Sequence, residues 1–162
     1  KCRVQQTPML NQTLKTKVLA TLAAISATFF LAPTAVRADN SRYVNDIARQ
    51  LVRAAGAVGL GGYTRTHKPF IDKLTHDDYD NITLNLRAGT SYGIIGVCDR
   101  DCRDLDIALY DSAGNRIASD LQDDDTPFIR INPNRSGTYR IRVDMASCSN
   151  NPCYYGVGVF GR

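Results

Sequence analysis

The chain has 162 residues, 43% of them hydrophobic, and a formal charge of +4 that at first sight invites a nucleic-acid partner. The distribution of charge excludes it. Five of the twenty basic residues precede Asp39, while all sixteen acids lie from Asp39 onward, leaving fifteen bases against sixteen acids and a charge of about −1.

The first zone reads as a cleavable secretory signal peptide, residues 1–38. Lys15 and Lys17 form a positive start, and Val18 to Leu31 is an unbroken run of apolar and small residues. Pro33 ends it, and Val36-Arg37-Ala38 supplies the short side chains of a cleavage site, with cleavage expected after Ala38. The run is shorter than the ~20 residues of a bilayer span, so no membrane anchor is expected after cleavage. Met9 is the expected true start, which leaves Cys2 outside the mature protein. The expected location is periplasmic or secreted.

Residues 39–71 read as a helix and a linker. Ser41 is a helix-capping residue type, and Val44, Ile47, Ala48, Leu51, Val52 and Ala55 recur at helical spacing up to Gly56. Arg42, Arg49 and Arg53 fall towards the opposite, solvated side. Residues 56–69 are glycine-rich and are expected to connect rather than pack.

Residues 72–162 switch to a period of two. Ile82, Leu84 and Leu86 alternate with polar neighbours. Leu105, Ile107 and Leu109, then Tyr139, Ile141, Val143 and Met145, recur at the same spacing, and Tyr155, Val157 and Val159 close the series. Turn residues at 111–115 and 132–137 punctuate them. All sixteen acids are aspartates, which favour turns and strand ends, and no glutamate is present to favour helix. About seven short strands are expected, in a mainly β, antiparallel sandwich. Four cysteines remain beyond the leader, and in an exported domain they read as two disulfides. The local pairing, Cys98 with Cys102 and Cys148 with Cys153, is the expected one. The cross-pairing of the two hairpins stays open as an alternative. The spacing is loose for zinc.

The runs DDYDNITLNLRAGTSYGI, DLDIALYDSAGNRIASD and PFIRINPNRSGTYRIRV resemble the bacterial pre-peptidase C-terminal domain. The matching features are Asp78-Tyr79-Asp80, Ala88-Gly89, the strand from Asp104 to Asp111, and Ser136 to Tyr139. The resemblance spans residues 72–160 and implies a jelly-roll-like β-sandwich. It also implies association with secretion, with substrate or matrix binding, and in some members with calcium. Here a helix and linker precede the module, where the family usually has a protease domain.

Three constellations carry candidate chemistry. Asp104 and Asp106 share one strand face, and with Asp123, Asp124 and Asp125 they would make a calcium site if that loop folds beside them. Arg130, Arg140 and Arg142 would make an anion-binding stripe. Ser91 sits in a G-x-S-x-G string, but both histidines, His67 and His76, lie upstream and a strand follows, against the hydrolase arrangement. The expected function is a non-catalytic binding or accessory module for an extracellular or envelope ligand: glycan, protein or matrix. The alternatives are a small secreted hydrolase and a structural envelope protein.

Overall fold

The computed structural model of the chain describes residues 35–162, with side chains from Ser41, so the export signal before Ala35 and the start at Met9 lie outside the described residues. Helix α1 runs Ala35–Ala57, starting before Ser41, which therefore lies within the helix and does not cap it. Only part of the expected apolar stripe is used. Ile47, Leu51 and Ala55 are buried, while Val44 and Val52 face solvent. Among the described residues no helix is long and apolar enough to cross a membrane.

Nine strands follow, two more than expected: β1 (Thr64–Arg65), β2 (Phe70–Leu74), β3 (Asp78–Leu86), β4 (Tyr92–Cys98), β5 (Cys102–Tyr110), β6 (Arg116–Asp120), β7 (Phe128–Ile131), β8 (Gly137–Cys148) and β9 (Cys153–Gly161). One sheet has the order β1-β9-β4-β7, with β2 also paired to β9, and the other has β3-β8-β5-β6. Ladders are antiparallel throughout. From β2 to β9 the chain changes sheet at every step except the β5–β6 hairpin, and β2 closes against β9. That is the jelly-roll sandwich.

The alternating residues meet between the sheets. Ile82, Leu84, Leu86, Leu105, Ile107, Leu109, Ile141, Val143 and Met145 from one side pack against Ile94, Ile129, Tyr155, Val157 and Val159 from the other. A second cluster explains why YGIIGVC in β4 is buried at every position. Ile95 and Val97 point outward, where Ile47, Leu51, Ala55, Leu60 and Phe160 cover them. The stretch expected to be a linker thus contributes Leu60 to this layer and β1 to the sheet. Gly156 permits the close approach of α1. A Cβ there would lie 2.3 Å from Ile47 Cγ2.

Both disulfides have the local pairing, Cys98–Cys102 and Cys148–Cys153. Cys102 lies opposite Cys148 in the β5–β8 ladder, so the two cystines are neighbours at one end of the sandwich.

Candidate functional site

With α1 on the five-stranded sheet, the outer face of the four-stranded sheet is the open one. Strand alternation puts Tyr79, Asn81, Thr83 and Asn85 of β3 on it, all exposed. Their ladder partners on β8 are Asp144, Arg142, Arg140 and Thr138. Beyond β8, β5 presents Asp106, Ala108 and Tyr110.

Two arginine–tyrosine stacks order this face. The Arg142 guanidinium lies 4.0 Å from the Tyr79 ring centre, and that of Arg140 lies 4.2 Å from the Tyr110 ring centre. Arg142 Nε donates to both carboxylate oxygens of Asp144 at 2.9 Å, and Asp144 raises its pKa further. Arg140 Nη1 donates to Asn81 Oδ1 at 2.6 Å. Each guanidinium therefore has a fixed plane before any ligand arrives.

Arg130 does not join them. It sits on β7 in the other sheet, donates Nη2 to the Val58 carbonyl at 2.8 Å, and lies over Phe128. The expected three-arginine stripe is thus a pair. β7 and β8 are consecutive in sequence but lie in opposite sheets, so closeness along the chain does not give closeness in space.

The aspartates come together in part. β5 has two register shifts against β8, around Asp104, and the Leu105 N–H donates to the Asp124 carbonyl at 2.9 Å, which ties the loop to β5. Desolvation, then Asp123 and Asp124, raise the pKa of Asp104. Desolvation, then Asp104, Asp144, Asp120 and Asp124, push Asp106 up to about 6. One oxygen of each, Oδ1, is buried without a hydrogen bond among the described residues. Asp125 accepts a hydrogen bond from Thr126 Oγ1 at 2.8 Å. Among the described residues no three ligand side chains close on a single point as a metal cage does.

Ser91 lies just before β4, not in a strand–elbow–helix turn, and its hydroxyl partner is Tyr63 OH at 3.1 Å. His67 Nε2 donates to the Asn85 carbonyl at 3.2 Å, and its Nδ1 shares a hydrogen bond with Thr66 Oγ1 at 2.9 Å. His76 is at the cystine end, 3.3 Å from Asp77, and its Nδ1 accepts from the Cys148 N–H. The serine and the histidines form no relay.

The outward residues of the open face were legible from alternation. Tyr79 and Tyr110 as stacking partners were not, because that needs the cross-strand register.

The chain is a jelly-roll β-sandwich with one face covered by a helix and the other open. No family model matches the sequence, and no curated protein matches it. Solved structures similar in fold include a periplasmic inhibitor of g-type lysozyme from Aeromonas hydrophila, at 14% identity and a TM-score of 0.46, covering 59% of this chain and 85% of that one. Another is the pre-peptidase C-terminal domain of a collagenase from Bacillus anthracis, at 18% identity and a TM-score of 0.45, covering 57% and 87%.

Proposed function

We propose that the protein is an exported, non-catalytic binding module whose ligand-facing surface is the open face of the four-stranded sheet. One observation carries this reading. The face holds two guanidiniums already oriented by tyrosine rings, beside exposed Asn81, Thr83 and Asn85, with no covering element among the described residues. A pre-ordered polar and aromatic surface binds at low conformational cost. The ligand class is an extracellular or envelope glycan, protein or matrix component.

The test pairs a glycan array with pull-down from envelope extracts, using the wild type and the Tyr79→Ser, Arg142→Ser double variant. Both residues are on the surface, so melting temperatures should agree within a few degrees. The variant is expected to lose at least one ligand that the wild type captures. Unchanged capture by a folded variant sinks the reading.

A further inference from the structure

Strand register divides the sandwich into two halves of opposite charge. Fourteen of the sixteen aspartates are in the half that carries the cystines or precede β2, as Asp39 and Asp46 do, and Asp120 lies near the middle of the sheet. The other half comprises residues 58–71, 81–97, 108–119, 129–142 and 156–162. It holds nine lysines and arginines and a single acid, Asp111. That acid is consumed by its own turn. It accepts hydrogen bonds from the Ala113 and Asn115 N–H groups and from Asn115 Nδ2, which holds its carboxyl below the usual range.

A cleft of about 460 Å³ opens in this basic half, between β1 and the β3–β4 turn. That size lies within the roughly 300–1,000 Å³ of small-molecule sites. Arg65, Arg87 and His67 line it with Thr64, Thr90 and Asn85, and no acid does. Among the described residues the guanidinium of neither Arg65 nor Arg87 has an ion-pair or hydrogen-bond partner, although the Arg87 backbone N–H donates to Tyr92 OH at 3.1 Å. The clefts beside α1 also hold arginines, but Asp46 and Asp99 or Asp101 line them too. Gly161 keeps this region close-packed. A Cβ there would lie 2.9 Å from Thr66, 3.1 Å from Thr90 and 3.2 Å from Tyr92, all lining residues.

Two unpaired guanidiniums suit a carboxylate or phosphate, which they grip through paired N–H donors. Hydroxyls and an amide around them suit a ligand that also carries many hydroxyls. We propose that this cleft, which shares Asn85 with the open sheet face, binds an acidic saccharide, a sugar bearing a carboxylate or a phosphate ester.

Isothermal titration of the protein expressed from the full chain tests this with four probes: trigalacturonate, glucose 6-phosphate, maltotriose and inorganic phosphate. Saturable binding is expected for at least one acidic sugar, about tenfold or more tighter than for maltotriose and for inorganic phosphate, and weaker at high salt. Which acidic sugar binds separates carboxylate from phosphate ester. Arg65→Ser with Arg87→Ser should weaken it about tenfold or more. Tyr79→Ser with Arg142→Ser should leave it unchanged, so this proposal and the open-face reading can fail independently. Three results overturn it: no saturable binding of either acidic sugar, equal binding of maltotriose or inorganic phosphate, or wild-type affinity in a folded Arg65, Arg87 variant.

Discussion

Asp106 sits in an environment that opposes its charge. Its folded pKa of about 6 stands above the ordinary 3.8, so the native state holds the proton more tightly than the unfolded chain does. The stability this contributes is complete below about pH 3.8 and is lost as pH rises through about 6. Solvent screening of the part-exposed carboxylate cuts the effect to about 1 kcal/mol. Asp106→Asn is therefore expected to raise the melting temperature by about 3 °C at pH 7 and to change little at pH 4. Denaturant melts at both pH values check it, and a variant less stable at pH 7 refutes it. The same melts, with calcium and with chelator, test the calcium expectation, because an ion on Asp104, Asp106 and Asp124 must stabilise the wild type more than Asp106→Asn. Tyr155 is a simpler case. Its buried hydroxyl donates to Asp80 Oδ2 at 2.8 Å, joining β9 to β3 across the sandwich. Burial, then this bond, raise its pKa, so it remains a donor over the working range of pH. Tyr155→Phe should cost about 1.5–3 kcal/mol by chemical denaturation.

At the level of elements, α1 and the five-stranded sheet are fitted to each other by the absence of a side chain at Gly156. Gly156→Ala should destabilise by about 1–3 kcal/mol, because Ile47 is β-branched and cannot swing aside. Adding Ile47→Ala should make the Gly156→Ala step nearly neutral, and a double-mutant cycle measures that coupling. The helix and the core strands were legible because burial imposes a period on the sequence, 3.6 for Ile47, Leu51 and Ala55 and two for Ile82, Leu84 and Leu86. Residues 56–69 were not, because a glycine-rich stretch has no period and Leu60 is buried as a single anchor. The arginine stripe failed for a different reason. Sheet membership changes from β7 to β8, and nothing local to Arg130, Arg140 or Arg142 records it.

For the whole molecule, the separation of charge is invisible along the chain and appears once register is known, since Asp and Arg alternate freely in sequence order. Cysteine pairing was equally open, because Cys102 faces Cys148 and more than one connectivity lies within reach at that end. Peptide mapping of the unreduced protein is expected to give the two local pairs. Each local pair closes a loop of four or five residues, worth about 2 kcal/mol in chain entropy. The cystines are thus a clasp at one end and not braces along the length. Reducing them should loosen the turns around Asp101 and Asn151 first, a local opening that hydrogen exchange would record as lost protection there. The strand ends around Arg87 and Gly161, held by ladder pairing, core contacts and hydrogen bonds to the Thr64 and Tyr92 hydroxyls, should keep their protection under the same reductant. The two ends of the sandwich would then respond separately, one to the redox state of the compartment and the other to what it binds.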